Sequence, residues 1–333
     1  MLKNALILVL SLLSLQAAKA ENPDSLIVYL KNSGQKVISK DSADYYRIIL
    51  PPDTNIDKDL YRIYDYYFNG KPKRVATSLT QPVNLVLDGT SIDYFFNGKR
   101  KGTSQYKNGR LTGSAINYYP NGKLYDILKI TDFNNGYSGY YNGDLRDPGY
   151  YYNVQVVELR DSTGNLLAAN GTGHVVVFDD DFKKVLEEGD LYKNKKEGEW
   201  KGLIADSGKF ICIFHKGVLK SGISYMKSGH HYTFNQAHAM PVFSDGMDAF
   251  YIFLRKNLQY PESAKKHKIG GSVLIGFYIE TNGTVSDVRV VKGLLKSCDD
   301  EAARVMSLSP LWIPASDFGI PIRTHYTVTV SFW

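Results

Sequence analysis

The sequence predicts a multidomain protein in which an N-terminal all-β repeat sheet precedes a small α+β domain. Three observations lead to this prediction. The chain has 333 residues, which is long enough for two domains. It contains 25 tyrosines and 29 glycines, a composition typical of short aromatic strands joined by glycine turns. Near residue 245 the repeated aromatic and Asn-Gly units give way to helical and alternating periodicities.

Residues 21–226 are predicted to form the repeat sheet, because an aromatic residue followed by Asn-Gly recurs along them. An Asn-Gly pair between β-prone residues favours a type I′ turn with positive φ at both positions, so each unit predicts one β-hairpin. A lone hairpin is marginal in water, so neighbouring units must stack. The units are Tyr67 to Lys71, Phe95 to Lys99, Tyr106 to Arg110, Tyr119 to Lys123 and Tyr140 to Asp144. We place Pro148 to Glu188 in the same sheet, with turns at 161–165 and 179–182.

The repeat pattern returns near the end of this region, in Gly189 to Lys193 and in Lys195 to Gly202. Together with the Asn-Gly-Lys units, this stretch resembles the MORN-type repeats of exported bacterial proteins, including a variant named after antitoxin-like proteins. The resemblance covers roughly residues 60–230. It implies protein-binding or spacer modules that share no common active site.

Residues 227–244 are polar and aperiodic, so we interpret them as a linker before a second domain at 245–333. The apolar spacing from Met247 to Leu258 predicts a helix that stops before Tyr260-Pro261, and a second short helix can start at Pro261. Residues 273–279 and 285–290 alternate around a turn at Asn282-Gly283, which predicts a hairpin.

The last part of the domain predicts one helix and one strand. Ser297 to Asp300 has capping-box spacing and opens a helix that ends at Ser309-Pro310. Residues 325–332 show the clearest alternation in the chain, with Tyr326, Val328 and the following even-numbered residues on one face.

This order of helix, hairpin, helix and strand resembles the C-terminal domain of TonB, the energy transducer of Gram-negative outer-membrane transport. The match is carried by Tyr260-Pro261 with Ala264, Gly270 to Val273, Asn282-Gly283 with Val285 and Val288, Asp300 to Ala303, Trp312 to Ala315, and Gly319 to Ile322. The preceding Met240 to Phe243 with Asp245-Gly246 is similar to the lead-in of such proteins from Bacteroidetes.

In that family the domain binds a short extended segment, the TonB box of an outer-membrane receptor, as an added β-strand. The resemblance therefore implies an outer-membrane receptor or another envelope protein as the partner. It implies partner binding by Gln259, Tyr260 and Pro261 and by the final strand, His325, Tyr326, Thr327, Val328, Thr329, Val330, Ser331 and Phe332. Two alternatives remain open at this point: the strand lies inside the sheet, or it pairs with a second copy of the chain as a homodimer.

The first twenty residues have the features of an export signal. Lys3 precedes an apolar run over residues 5–15, and Ala18-Lys19-Ala20 has the small-x-small pattern that signal peptidase cleaves. We expect cleavage after Ala20 and a periplasmic mature chain. The apolar run is shorter than the roughly 20 residues that span a bilayer, so a membrane-anchored form is the less favoured alternative.

A TonB transducer also needs an uncleaved membrane anchor and a long proline-rich segment. Here the apolar run has a cleavage site behind it, and the 12 prolines are scattered along the chain. We therefore expect a periplasmic binding role rather than energy transduction by this chain alone.

Charge is spread evenly along the chain. The formal net charge is +6, and residues 21–240 carry 28 basic and 25 acidic side chains, while residues 241–333 carry 10 and 9. A nucleic-acid-binding protein concentrates positive charge in one region, so we expect no nucleic acid as a partner.

No motif predicts an enzyme, a cofactor or a metal site. Gly171 to His174 lacks the third glycine of a dinucleotide loop. His230, His231 and His238 have no cysteine or carboxylate at metal-site spacing. Cys212 and Cys298 could pair in an oxidising compartment, but we favour two buried single thiols, because cysteine is among the most buried residue types.

Two hypotheses of different class follow. In the first, the C-terminal domain binds extended segments of envelope proteins and the repeats position it. In the second, the chain is a scaffold or antitoxin-like interaction protein, in which the repeats bind the partner and the TonB-like domain is a structural cap.

Overall fold

The computed structural model describes residues 25–53, 55, 57–81, 83–130, 154–205 and 207–333. The chain divides into two compact units. The N-terminal unit comprises residues up to 186 together with 190–195, and the C-terminal unit comprises 187–189 and 196–333. The expected signal peptide and the unit Tyr140 to Asp144 lie outside the described residues.

The described part of the N-terminal unit is built from antiparallel strands. The strands are β1 (Leu26–Leu30), β2 (Lys36–Val37), β3 (Tyr45–Leu50), β4 (Tyr61–Tyr67), β5 (Pro72–Ser78), β6 (Gly89–Tyr94), β7 (Arg100–Lys107), β8 (Arg110–Tyr118), β9 (Leu124–Ile130), β10 (Val154–Arg160), β11 (Leu166–Ala169) and β12 (Thr172–Phe178), with a short 3-10 helix at Lys40–Ser42. A further strand, β13 (Val185–Tyr192), contributes residues to both units. From β3 to β12 each strand pairs antiparallel with the next, and β1 pairs with β2 and β3.

Successive turns of this meander lie at opposite ends of the strands, because each strand reverses direction. The turn at Asn97-Gly98 is followed by β7, the turn at Asn108-Gly109 by β8, and the turn at Asn121-Gly122 by β9. Each described Asn-Gly turn joins two antiparallel strands and so forms one hairpin, as the sequence predicts. Where turns follow one another directly, as from β6 to β9, successive hairpins share a strand.

The turns are of two kinds, and only one is the type that the sequence predicts. At Asn108-Gly109 both residues have positive φ, 50° and 76°, as a type I′ turn requires. In the turns at residues 67–71, 95–99 and 119–123 only the glycine has positive φ, and the glycine N–H donates to the carbonyl three residues earlier. This is the three-residue loop with a bulged glycine. The type I′ prediction was wrong there.

Side chains of each bulged turn form hydrogen bonds with the next turn at the same end of the strands. Asn69 Nδ2 donates to the carbonyl of Phe96 at 3.1 Å, and Lys71 Nζ donates to the carbonyl of Asn97 at 2.9 Å. Asn97 and Lys99 make the same two bonds to Pro120 and Asn121, at 3.0 and 2.7 Å. Asn121 and Lys123 repeat them on Ser162 and Thr163. The Asn-Gly-Lys motif is thus a connector between successive turns.

A row of polar residues crosses the interior of this sheet in register. Arg47 forms a buried pair with Asp65, at 2.7 and 3.0 Å, and Arg74 pairs with Asp93 at 2.8 Å. At the far end Asn117 Nδ2 donates to Asp126 Oδ1 at 2.7 Å. Each member is the cross-strand partner of the next: Arg47, Asp65, Arg74, Asp93, Gly102, Asn117 and Asp126.

The C-terminal unit contains strands and helices. The strands are β14 (Lys195–Ile204), β15 (Gly208–His215), β16 (Val218–Met226), β17 (His231–Phe234), β18 (His238–Ala239), β19 (Val242–Phe243), β20 (Gly271–Ile279), β21 (Val285–Lys292), β22 (Trp312–Ile313), β23 (Ala315–Asp317), β24 (Ile320–Ile322) and β25 (Thr324–Phe332); the helices are α1 (Gly246–Asn257), α2 (Glu262–Lys266) and α3 (Lys296–Ser307). Strands β14 to β17 form an antiparallel meander, β18 pairs with the hairpin β23–β24, β19 pairs with β22, and β21, β20 and β25 form a three-stranded sheet.

The predicted helices, hairpin and final strand of the second domain are all present in this unit. One detail of α3 was wrong. Ser297 does not cap the helix; Leu295 is the N-cap residue and makes no side-chain capping bond. Asp299 instead accepts the N–H of Leu294 at 2.8 Å, because its carboxylate reaches back over the first turn. The segment 227–244, interpreted as a linker, contains the short paired strands β17, β18 and β19.

The core of the C-terminal domain lies between the three-stranded sheet and its helices. Phe250 and Leu254 of α1 and Val305 and Met306 of α3 face the sheet, and alternate residues of β20 meet them with no exposed surface. Full burial of one such side chain stabilises the fold by roughly 1.5–3 kcal/mol. This packing holds β20 and β25 as one rigid pair.

Candidate functional site

Strand β25 is an edge strand. The order of its sheet is β21, β20, β25, so β20 occupies the centre. All nine residues of β25 pair with β20 without a register shift, from Thr324 opposite Ile279 to Phe332 opposite Gly271. Among the described residues no strand pairs with the other side of β25. The expectation of an edge strand is therefore met in the described part of the chain.

The two edges of this sheet differ in how they are protected. Natural edge strands carry bulges, charges or prolines, which prevent pairing with other chains. Strand β21 has two register shifts against β20, a positive φ of 49° at Asp287, and the charged residues Arg289 and Lys292. Strand β25 has no bulge, proline, lysine or carboxylate. A regular nine-residue edge of this kind is a template for an added strand.

The two faces of β25 follow the predicted alternation. Val328, Val330 and Phe332 are buried in the core. Tyr326 is half-buried, and its ring centroid lies 5.5 Å from that of Trp312. The other face is exposed and consists of His325, Thr327, Thr329 and Ser331. An added strand would therefore find a polar face beside it, while the apolar face of β25 anchors the pair.

The residues Gln259, Tyr260 and Pro261 lie beside the end of β25. The Tyr260 hydroxyl donates to the carbonyl of Ile269 at 2.8 Å, and its ring centroid lies 6.0 Å from that of Phe332. The backbone N–H of Gln259 donates to Glu301 Oε1 at 2.6 Å. The structure thus places Tyr260 beside Phe332, the last residue of the predicted partner-binding strand.

A shallow groove of about 710 Å³ lies between Gln259, Tyr260 and Pro261 on one side and Asp300, Glu301 and Arg304 of α3 on the other, and no residue of β25 lines it. Arg304 donates two hydrogen bonds to Glu301, at 2.7 and 2.8 Å, and one to the carbonyl of Asn257. The Arg304 hydrogen bonds, together with the N–H of Gln259, lower the pKa of Glu301. Glu301 is therefore a fixed carboxylate in the wall of the groove, which the sequence did not identify.

Phe318 is a second residue that sequence reasoning missed. It lies at the tip of the hairpin β23–β24 with a φ of 49°. Its ring stacks on Phe210 of β15 at 4.6 Å, and its carbonyl accepts the hydroxyl of the buried Ser224 of β16 at 2.7 Å. Its N–H donates to the carbonyl of Ala237 at 2.6 Å. The hairpin therefore fastens the C-terminal domain to the repeat strands of the same unit.

The residues with reactive or metal-binding potential are separate from this site. The described residues contain no group of three or more His, Cys, Asp or Glu side chains arranged to hold a metal ion. Both cysteines are free and buried, as favoured from the sequence, and burial raises the pKa of Cys212 to about 12. A thiol with so high a pKa is a poor nucleophile. Within the part of the chain that the structure describes, no helix has the length and apolarity to cross a bilayer.

Comparison with known protein families gives a result for the C-terminal region. No curated protein matches the chain. Residues 256–333 match the family model of the Gram-negative bacterial TonB protein C-terminal domain. The matched range contains β20, β21, α3 and β25, as well as the groove at Gln259. The C-terminal region of the chain is therefore similar to the C-terminal domain of TonB, a protein of Gram-negative bacteria.

Proposed function

We propose that the C-terminal domain binds extended segments of envelope proteins by adding them as a strand to β25. The partner is an outer-membrane receptor with a TonB-box type segment, or another envelope protein, and the location is the periplasm. Backbone groups of His325 to Phe332 supply the pairing, and Gln259, Tyr260 and Pro261 contact the same segment where it leaves the strand. This is a binding role without catalysis, linked to outer-membrane transport.

The observation that supports this proposal is the contrast between the two edges of one sheet. Strand β21 carries a bulged register and charges, while β25 offers nine regular residues. Because an unprotected edge invites aggregation, a protein retains one where pairing serves a purpose. Glu301, held beside Gln259, adds a fixed negative group next to that residue.

The repeats have a positioning role in this proposal. The stacking of Phe318 on Phe210 and the backbone pairing of β18 with β23 hold the domain against neighbouring parts of the C-terminal unit. A fixed domain presents the edge of β25 in one orientation, which lowers the entropic cost of capturing a segment.

Photo-crosslinking in living cells tests the proposal. A photoreactive amino acid is placed at Gln259, Tyr326 or Thr329, and at Val291 on β21 as the matched control. We expect the first three positions to capture outer-membrane receptors or other envelope proteins through extended segments, identified by mass spectrometry. Capture only from Val291, or only of a second copy of this chain, would contradict the proposal.

The alternative function is a scaffold or antitoxin-like interaction protein of MORN-repeat type, with the C-terminal domain as a structural cap. The contacts of Phe318 with Phe210 and Ser224 favour it, because a cap must pack on the last repeats. Under this alternative, probes in the repeats capture the partner while probes on β25 capture nothing. Replacing Phe318 with Ala then destabilises the repeat strands, and partner capture falls with it.

A further inference from the structure

Strands β18 and β19 form one two-stranded ribbon with β23 and β22. The antiparallel register is the same in both pairs of strands, from His238 opposite Asp317 to Phe243 opposite Trp312. Side chains therefore alternate between the two faces of the ribbon, and the even-numbered residues from 238 to 244 are exposed. We call this element the lead-in ribbon.

The two faces of the lead-in ribbon differ in what covers them. Phe243 and Trp312 belong to the domain core, and their ring centroids lie 5.3 Å apart. The other face is apolar and continues onto β24, because Ala315 pairs with Ile322. Its five apolar residues are 42–71% exposed: Met240, Val242, Leu311, Ile313 and Ile322. An exposed apolar patch of this kind marks a contact surface.

The polar side chains at the two ends of this face are bonded within the ribbon. At one end His238 Nδ1 lies 2.7 Å from Asp317 Oδ1. At the other end the hydroxyl of Ser244 donates to the carbonyl of Leu311. Covering the face therefore leaves no polar side chain at its ends without a partner, and desolvation of the face costs little.

Prolines protect the strands of the ribbon from pairing with another strand. Pro241 and Pro314 lie within the ribbon, and Pro321 lies in β24. Proline has no backbone N–H, so an added strand cannot form a continuous ladder beside it. A partner must therefore use the apolar face of the ribbon and not its edges.

We propose that two copies of this chain associate through the apolar face of the lead-in ribbon. A two-fold axis near Val242 and Ile313 places this cross-strand pair of one copy on the same pair of the other copy. Apolar side chains then meet apolar side chains, and no like charges are brought together. A second copy is favoured over a charged partner, because the apolar side chains between the two ends offer no ion to pair with one.

The area of the patch is consistent with a reversible dimer. The exposed fractions of the five side chains correspond to about 500 Å² of apolar surface per copy. A pair of copies would thus bury about 1,000 Å², which is close to the lower limit for a specific interface. The association is independent of strand addition at β25, and each dimer would present two such edges.

Sedimentation velocity of the mature chain over a range of concentrations tests this inference, with the variants Ile313→Glu and Ile313→Lys. We expect the parent chain to dimerise as its concentration rises, with little dependence on salt, since no ions meet in the interface. Each variant should associate at least about tenfold more weakly, because the two-fold axis brings like charges together. An equimolar mixture of the two variants should associate again, because opposite charges then meet.

Val291→Glu is the matched control. Val291 lies on β21 and is as exposed as Ile313, so this variant should dimerise as the parent chain does. A parent chain that stays monomeric at every concentration would overturn the proposal, as would equal losses from the Ile313 and Val291 variants. Dimerisation that Thr329→Lys weakens and Ile313→Glu does not would assign the contact to the edge of β25 and would also overturn it.

Discussion

The backbones of Gly283 and Trp312 are in direct contact at the turn between β20 and β21. The Trp312 N–H donates to the carbonyl of Gly283 at 2.8 Å. A Cβ atom on Gly283 would lie 2.1 Å from the Trp312 carbonyl oxygen, and Gly283 has a φ of 85°. The turn and β22 therefore approach each other through backbone alone, which fixes Trp312 in the core.

Replacing Gly283 with Ala should destabilise the C-terminal unit by about 3 kcal/mol or more, because the side chain adds a backbone clash to the conformational strain. Gly70→Ala is the control. Gly70 has nearly the same φ, 83°, and open space around it, so only strain of about 1 kcal/mol is expected. The free energy of unfolding in urea measures both. Equal losses of stability in the two variants would show that the clash with Trp312 does not contribute to the destabilisation.

The connectors between turns predict a loss of stability when a lysine is shortened. Lys99→Met keeps the apolar stem and removes the hydrogen bond to the carbonyl of Asn121. We expect about 1 kcal/mol of destabilisation, the typical net value of one hydrogen bond. Lys129→Met, at an exposed strand position, is the control and should change stability by less than about 0.5 kcal/mol. Urea denaturation distinguishes the two.

The buried carboxyl of Asp126 predicts an unusual pH dependence of the free energy of unfolding. Burial raises the pKa of its carboxyl to about 7, against an ordinary value of 3.8, and the hydrogen bond from Asn117 only partly opposes this. Because the folded state binds the proton more tightly, stability is highest below the unfolded pKa, falls as pH rises towards about 7, and levels off above it. The free energy of unfolding changes by at most a few kcal/mol across this pH range.

Asp126→Asn removes the titrating group and should make the free energy of unfolding nearly independent of pH across this window. It should also be more stable than the parent chain at pH above about 7. Measurement of urea unfolding by circular dichroism at intervals across this range, for both proteins, provides the test. The same slope in the variant would exclude Asp126 as its source.

A lysine placed on the edge strand should block strand addition. Thr329→Lys introduces the residue that natural edge strands use against pairing. Val291→Lys adds the same charge to the same exposed face at the opposite edge; the face is shared because Val291 and His325 flank Gly276 on one side of the sheet. We expect at least about tenfold weaker binding of a captured segment for Thr329→Lys only, measured by fluorescence anisotropy. A similar loss from both variants would point to charge rather than strand pairing. Val328→Pro is less suitable, because Val328 is buried in the core.

Local patterns determined much of this structure from the sequence. The alternation from His325 to Phe332 gave both faces of β25 correctly, because side chains alternate in any strand whose one face is buried. The spacing from Met247 to Leu258 located α1, and the Asn-Gly pairs located the turns. The motifs of the C-terminal region were sufficient to indicate a TonB-type domain.

Other features were decided only by the tertiary structure, because they depend on which residues meet across long distances in the chain. Asn69 adopts no positive φ because its side chain bonds the N–H of Lys71 and the carbonyl of Phe96. The polar row from Arg47 to Asp126 can be recognised only once the register of all the strands is known. Phe318 contacts Phe210, and Glu301 accepts a hydrogen bond from Gln259, although the members of each pair are distant in sequence. Local propensity sets each element, but register and packing decide which residues of different elements come into contact.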